Sequence, residues 1–203
     1  LPRAPNPPVI TDPLSQVQPV RVQPVATGSA EARLFQGLLQ RDHYLGHRNC
    51  VGENLKYLAW DRQGRPLACL LFGAAAWQVE VRDQWIGWSA AHRRDHLHLV
   101  ANNTRLLILP EVRVPHLASH LLGQVSARLS TDWQQKYGHP IYLVESFVDA
   151  SRFAGVCYRA AGWIAVGHTT GRTRNDDGQR PRVSPKVLYL KALRADARRR
   201  LAA

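Results

Sequence analysis

Apolar residues recur along this chain in two patterns, and each pattern predicts a different kind of element. Spacings of three or four residues are typical of helices and predict them over 30–45, 115–137 and 151–162. Short, nearly continuous apolar runs predict strands over 55–60, 66–73, 105–110, 141–149, 163–171 and 186–193. The segment 82–89 could begin one more strand, with a helix or loop over 90–103 after it. The order α, β-β-β, β, α, β, α, β, β indicates a mixed α/β sheet covered by helices.

Capping and turn residues support these boundaries. Ser29 is suited to begin the first helix and Gly138 to end the long one. The turn 61–64 joins the first two strands into a β-hairpin. Residues 1–29 are rich in proline, which removes backbone donors and blocks helices, so we expect an extended arm that is not a core element. We therefore predict one domain over 30–193, between this arm and a basic tail over 194–203.

Length and composition are those of a globular domain with a single core. The chain has 203 residues, of which 45% are hydrophobic and 21% charged. We find no apolar run near the ~18 residues that a membrane span needs, and no secretory signal at the start. The three cysteines, Cys50, Cys69 and Cys157, have no spacing typical of disulfides or structural zinc. We expect a cytoplasmic protein.

Basic residues are concentrated near the end of the chain. The formal net charge is +12, and the segment from Arg172 to Arg200 alone carries a net +7. Such a segment either contacts a polyanion or is a solvated tail. For the first interpretation, the residues that would contact nucleic acid are Arg172, Arg174, Arg180, Arg182 and Lys186. The glycines around these arginines, Gly171 and Gly178, predict a loop between two strands.

The passage from "RLLILPEV" through the long helix to "IYLVESFVDASRFAGVCYRAAGWIAVG" resembles the GNAT acyltransferase fold. "YRAAGW" stands where that fold has a "YxxxGF"-like end, and the resemblance implies that Tyr158 protonates a departing thiolate. The loop "VRVPHLAS", however, lacks the glycine that lets a pyrophosphate approach, and Pro115 removes a donor. We therefore expect no CoA and no other cofactor. A single phosphate or carboxylate could still bind there, with Arg113, His116 and Ser119.

Seven motifs in order give a closer resemblance, to the DruA-like family of bacterial domains found in Druantia anti-phage systems and beside transposases. These motifs are "HYLG", "RDQWIGW", "NNTRLLILP", "HLAS", "DWQQKYG", "ESFVDASRFAGVCYRAAGW" and "GHTTGR". The resemblance implies a role in defence or in mobile elements, with a helicase or transposase as partner. It implies no particular reaction.

Acidic residues are the next candidates for chemistry. Glu145 and Asp149 lie on one face of a strand, about 13 Å apart unless the chain turns at Phe147 or Val148. They could act as acid and base, or Asp149 could cap the helix at Ser151 while Glu145 pairs with a basic residue.

The segment "RDQWIGW" is open to two interpretations. Asp83 could be an acid, base or ligand in a pocket walled by Trp85 or Trp88, with His43 and Tyr44 facing it. Alternatively, Asp83 forms an internal ion pair with Arg82, and the tryptophans belong to the core.

We predict no metal site, because His92, His96 and His98 are explained by a solvated helix or loop. Cys157 is expected to be a core residue. The chemical hypothesis is one pocket, in which the catalytic candidates are Asp83, Glu145, Asp149 and Tyr158, and the substrate-binding candidates are His43, Tyr44, Trp88, Asn102, Asn103, Arg105 and Ser119. The chain would act on nucleic acid or be recruited to it. The alternatives are acyl or aminoacyl transfer from a donor other than free acyl-CoA, and a non-catalytic adaptor.

Overall fold

The computed structural model describes residues 8–47, 50–170 and 184–203, and places seven strands of these ranges in one sheet of order β1-β2-β3-β4-β5-β7-β6. The strands are β1 Arg21–Pro24, β2 Asn54–Trp60, β3 Pro66–Ala74, β4 Val100–Ile108, β5 Leu143–Asp149, β6 Ile164–His168 and β7 Lys186–Ala192. The helices are α1 Leu14–Val17, α2 Ala30–Asp42, α3 Glu80–Ile86, α4 Ala90–His96, α5 Leu117–Tyr137, α6 Val156–Ala160 and α7 Ala197–Leu201. The mixed α/β sheet flanked by helices is thus confirmed.

The sheet opens between its fourth and fifth strands. β4 and β5 run parallel, and they pair over only three positions, from Val100↔Leu143 to Asn102↔Glu145. Beyond this point the two strands have diverged, whereas β3–β4 and β5–β7 pair along nearly their whole length. Within the described ranges, backbone groups of β5 on the β4 side therefore have no strand opposite them beyond Glu145, and a gap opens at this end of the sheet.

One face of the sheet is covered by α5 and α6. The apolar stripe of α5 includes Leu121, Val125 and Leu129, all fully buried in the larger core cluster. The Tyr57 hydroxyl, on β2, donates to Asp132 of α5 over 2.8 Å, which fixes the helix on this face. Serine at position 29 accepts from the Ala32 amide and caps α2, as the sequence predicts.

The other face is covered by α3, α4 and α7, which pack on a second apolar cluster. The prediction of a strand over 82–89 is wrong, because α3 occupies residues Glu80–Ile86 and ends at Gly87, whose φ of 80° suits glycine. The basic tail is also more than a solvated extension. α7 buries Ala197 and Leu201 completely, while its arginines remain on the surface.

The N-terminal arm contributes to the core, contrary to expectation. β1 pairs antiparallel with β2 and becomes an edge strand of the sheet. Ile10, Val17, Val20 and Val22 are each less than 9% exposed. Proline is tolerated because edge strands and turns do not need every amide donor. The core domain therefore includes residues 10–24.

Several predicted boundaries need modest adjustment. The hairpin strands β2 and β3 lie where predicted, and α5 begins two residues later than proposed. The predicted helix 151–162 is shorter, since only Val156–Ala160 is helical. None of the helices in the described ranges is long and apolar enough to cross a membrane.

Candidate functional site

The gap between β4 and β5 forms a cleft of about 120 Å³. Its walls come from both diverging strands, from the loop after α2 and from the start of α6. The lining residues are His43, Tyr44, Asn103, Thr104, Leu106, Ser146, Phe147, Val148, Asp149, Phe153, Gly155, Cys157 and Tyr158. We call this space the splay cleft.

Three polar residues close the inner end of the splay cleft. The Tyr158 hydroxyl donates to Asn103 Oδ1 over 2.7 Å and accepts from Ser146 Oγ over 3.0 Å. The Asn103 amide nitrogen in turn donates to the carbonyls of Leu71 and Arg105. Burial raises the pKa of Tyr158 well above its ordinary value. The hydroxyl is therefore a neutral, fully engaged group at neutral pH, and it ties β4, β5 and α6 together.

Glycine at position 155 is required where α6 begins. Its φ is 66°, and a Cβ there would lie 2.3 Å from the Tyr189 hydroxyl. That hydroxyl accepts from Arg159, and the Tyr189 ring stacks on Tyr158. The close approach brings α6, and with it Tyr158, against the sheet.

Aromatic rings stand at the open end of the splay cleft. His43 and Tyr44 stack with centroids 4.8 Å apart, and Tyr44 lies 5.6 Å from Phe153. The Arg152 guanidinium lies over the Tyr44 ring at 4.9 Å. Tyr44 is 44% exposed and Phe153 50% exposed, an unusual amount for two adjacent large aromatic residues. We call His43, Tyr44 and Phe153 the aromatic mouth.

Histidine at position 43 is a neutral hydrogen-bonding group. Burial, with a further contribution from the positive charge of Arg105, lowers the pKa of His43 to about 4. Its Nδ1 accepts from the Leu45 amide over 3.1 Å, so the ring proton resides on Nε2. Arg105 donates to the Gly46 carbonyl and so holds the loop that carries these residues. His43, which lines the splay cleft, therefore carries its hydrogen-bond donor on Nε2.

Asp149 lies where β5 ends, beside the aromatic mouth. Its Oδ1 accepts from the Ser151 amide over 3.0 Å and from the Ser151 hydroxyl over 2.6 Å, and these bonds lower the pKa of Asp149. These bonds close a turn, and no helix begins at Ser151, since α6 starts only at Val156. The interpretation of Asp149 as a helix cap is therefore wrong. Lys186 is its register partner on β7.

The arginine-rich segment attaches at this same end of the sheet. Thr169, after β6, and Lys186, at the start of β7, are joined by two hydrogen bonds. Residues 171–183, and with them Arg172, Arg174, Arg180 and Arg182, lie outside the described residues. Their nucleic-acid contacts stay a prediction.

A separate group of charges lies on the opposite face of the sheet. Arg82 and Glu145 are both fully buried and form an ion pair of 2.9 Å. Arg82 also donates to Oδ1 of Asp83, and Arg93 donates to Oδ2 of the same carboxylate. The backbone amide of Ala76 donates to the remaining oxygen of Glu145 over 2.8 Å. We call Arg82, Asp83, Arg93 and Glu145 the ion network.

The structure therefore divides the single pocket that the sequence suggests. Strand β5 is unbroken at Phe147 and Val148, so Glu145 and Ser146 point to opposite faces. The splay cleft is lined by His43, Tyr44, Asn103 and Tyr158, whereas Asp83, Trp88 and Glu145 pack together on the other face. Asp149 shares the alternation of Glu145, but it lies at the end of β5, where it borders the opening of the cleft. Trp88 packs under Arg82 at 5.4 Å, and Asn102 is the register partner of Glu145. For Asp83 and Trp88 the structure therefore shows the second of the two sequence interpretations. Asp83 forms an internal ion pair with Arg82, and Trp88 belongs to the core.

The loop that leads into α5 is engaged by the N-terminal segment. The Ile10 amide donates to the Glu111 carbonyl, and the Arg113 amide donates to the Ile10 carbonyl, each over 2.8 Å. Ser119 uses its hydroxyl to bind the His116 carbonyl. Of the loop amides, that of Arg113 is thus occupied by Ile10, and Pro115 has none, so two donors are lost to a pyrophosphate at this loop.

Sequence reasoning overlooked Ser146, Arg152 and Phe153. Ser146 could have been found from strand alternation, because it neighbours Glu145 and must face the other way. Arg152 lies in a turn and Phe153 in the irregular chain after it, where no periodicity reveals what a side chain contacts. Among the described residues, no group of three or more His, Cys, Asp or Glu side chains could hold a metal ion.

The fold of this chain is similar to that of solved acetyltransferase structures. A spermidine N-acetyltransferase from Vibrio cholerae, in complex with CoA and spermine, is similar with a TM-score of 0.56 and 11% identity, over 88% of this chain and 96% of that one. A point mutant of the SpeG enzyme from the same organism gives 0.54 and 12%, over 90% and 96%. At such identity the likeness shows the fold alone.

No curated protein sequence matches the chain. A family model does match, over residues 8–178, and its description is Druantia protein DruA. The match includes β1–β6, the splay cleft, the aromatic mouth and the ion network. The chain therefore belongs to the DruA family, which supports a role as a component of a defence system.

Proposed function

We propose that this DruA protein binds single-stranded nucleic acid at the open end of the splay cleft, as its part in defence. The observation that carries the proposal is the aromatic mouth with a guanidinium stacked on it. Exposed aromatic faces bind bases of any sequence, at about 1–3 kcal/mol per base. In a duplex these faces would find the bases already stacked, so a single strand fits better.

Positive charge around the mouth supports the same ligand. Arg152 and Arg105 both act electrostatically on Tyr44, and Lys186 acts on Asp149. Lys186, which follows the arginine-rich segment in the sequence, is the register partner of Asp149 and is bonded to Thr169, which precedes that segment. The chain carries a net charge of +12. Phosphates along a strand would release counterions on meeting these cations. The aromatic rings and the cations thus occupy neighbouring positions, as a strand of alternating bases and phosphates requires.

The first test compares a labelled oligo(dT) with a duplex of equal length by fluorescence anisotropy. We expect tighter binding of the single strand, and at least a tenfold loss in the double variant Tyr44→Ala with Phe153→Ala, because two stacking surfaces are removed. Trp77→Ala is the matched control, since Trp77 is 58% exposed and has Arg93 stacked on it at 5.7 Å, on the face of α3 and α4. Equal losses in the two variants would contradict the proposal.

The second test measures the salt dependence of binding. We expect Arg172→Ala with Arg174→Ala to reduce the slope of log K against log salt by about 0.7 for each phosphate that these arginines neutralise. Arg21→Ala with Arg62→Ala is the control, because these exposed residues lie near the opposite edge of the sheet. Binding without salt dependence, or a slope unchanged in the first variant, would exclude phosphate contacts by these arginines.

Acyl or aminoacyl transfer rests on the fold alone. The structure offers less support for it, because the Tyr158 hydroxyl is already engaged by Asn103 and Ser146. An adaptor role is compatible with strand binding, and a helicase partner would supply the motor activity.

A further inference from the structure

We propose that the splay cleft receives one unstacked nucleobase from the bound strand. This inference rests on the proposed function and names the group that the cleft itself would hold. The aromatic mouth would stack the neighbouring bases outside, while one base enters between the diverging ends of β4 and β5. The strand would then be read at a single extruded position.

The size of the cleft fits one planar ring system. Its volume of about 120 Å³ is close to the ~150 Å³ of an engineered protein cavity that binds one benzene. Leu106 and Val148 supply apolar wall, and the rings of Tyr44 and Phe153 border the entrance. Tyr158 closes the inner end, so a long flexible chain could not pass through. A compact, flat and mostly apolar group is therefore the best occupant.

The polar atoms of the cleft are suited to the edge of a base. Nε2 of His43 offers a donor, and the Asp149 carboxylate offers an acceptor. Backbone amides and carbonyls of β5 on the β4 side, from Ser146 onward, have no strand of the described chain opposite them. Donors and acceptors alternate along such a strand edge, as they do along the edge of a nucleobase. A base could therefore bond to backbone groups of β5 that have no ladder partner on β4.

The aromatic mouth would lower the free-energy cost of moving one base out of its stack and into the cleft. Removing a base from its stack costs a few kcal/mol in a duplex and least in a strand that is already single. The aromatic mouth offers replacement stacking immediately outside the cleft. Enzymes and binding proteins that act on one base bring it into such a fitted pocket, and the neighbouring nucleotides remain outside.

The experiment uses a pair of variants at Cys157, which lines the cleft and carries a protonated thiol, because burial raises its pKa. Cys157→Phe fills the cleft, whereas Cys157→Ala leaves it open. Binding of dA, dC, dG and dT 12-mers is measured for both variants and for the unmodified chain. We expect the unmodified chain and Cys157→Ala to distinguish the best from the worst homopolymer by about tenfold. Cys157→Phe should distinguish them by less than about threefold and should retain binding by the aromatic mouth.

Folding is checked by thermal unfolding, and Thr104→Phe, at the opposite wall, is the second filling variant in case Cys157→Phe is unstable. Strand binding with unchanged base preference in a folded filling variant would overturn the inference and leave the proposed function intact. A chain that binds no oligonucleotide would overturn the proposed function.

Free nucleosides separate the two ideas further, by thermal shift at millimolar concentration. Stabilisation by one nucleoside, lost in Cys157→Phe and kept in Cys157→Ala, would support the cleft as a base site even without strand binding. Stabilisation by acetyl-CoA that the filling variant abolishes would instead overturn the inference in favour of an acyl donor.

Discussion

The two faces of the sheet beside β4 and β5 use polar residues in opposite ways. On one face the ion network encloses Arg82 and Glu145 completely, and each charge meets a partner. On the other face Tyr158, Asn103 and Ser146 satisfy one another at the inner end of a cleft that opens to solvent. Adjacent residues of β5, Glu145 and Ser146, belong to different faces. Candidate chemistry therefore has to be assigned face by face.

The two faces of the sheet also differ in the role that their polar residues could have, in folding or in binding. The ion network encloses its central pair away from solvent, and burial raises the pKa of Glu145 while Arg82 opposes that effect. A buried pair of this kind holds elements in place, here α3 against β5. The cleft face presents His43 and Asp149 at its opening. We expect mutations in the ion network to affect folding, and mutations at the mouth to affect binding.

The largest expected effect follows from Arg82→Ala. Removal of one partner leaves the Glu145 carboxylate buried and unpaired, which typically costs about 3–5 kcal/mol of unfolding free energy. Urea denaturation followed by circular dichroism measures it. Arg41→Ala is the control, because Arg41 is 55% exposed in its pair with Asp42 and should cost less than about 1 kcal/mol. If Arg82→Ala were as mild as its control, the ion network would not be a structural element, and Glu145 would again be a candidate for catalysis.

An intermediate effect is expected from Tyr158→Phe. The substitution leaves Asn103 Oδ1 without its hydroxyl donor in a buried position, at a cost of about 1–3 kcal/mol. Binding to oligo(dT) should stay within about twofold of the unmodified chain, since the hydroxyl faces its protein partners. Tyr44→Phe is the control for both unfolding free energy and oligo(dT) binding, because the Tyr44 hydroxyl lies at the exposed mouth. A stable Tyr158→Phe variant with lost binding would give this hydroxyl a direct role in the ligand site.

The smallest effect concerns pH. Because the pKa of His43 is about 4 in the folded chain and near 6.5 when unfolded, the unfolded state takes up a proton first as pH falls. The contribution of His43 to stability is therefore complete above pH 6.5 and is lost between pH 6.5 and 4. It should amount to no more than about 1 kcal/mol, since the side chain is only partly buried and solvent screens its charge.

Denaturation of the unmodified chain and of His43→Gln across this pH range isolates the effect, because the variant keeps a neutral polar group that does not titrate. His47 and His98 also have lowered pKa values, and their contributions cancel in the difference. Parallel pH curves for the two proteins would show that His43 is not the desolvated group of the mouth.

Prediction from sequence succeeded where local patterns act alone. The Ser29 cap, the β2–β3 hairpin and the long α5 follow from short-range spacing and turn residues. It failed for the segment 82–89, because aromatic residues around Gly87 fit a strand pattern as well as a short helix. It also failed for residues 10–24, where proline masks residues that the core buries. A sequence shows which residues avoid water, but pairing partners for an edge strand lie far along the chain.

The sequence by itself determined most of the element types, the basic end of the chain, the family and a loop before α5 without the glycine of a pyrophosphate site. The tertiary structure decided which polar residues meet. Arg82 and Glu145 are 63 positions apart, and Asn103 and Tyr158 are 55 apart. Strand alternation sends neighbouring side chains to opposite faces, and the early divergence of β4 from β5 opens the splay cleft. Both depend on strand pairing across the sheet, which no local pattern specifies.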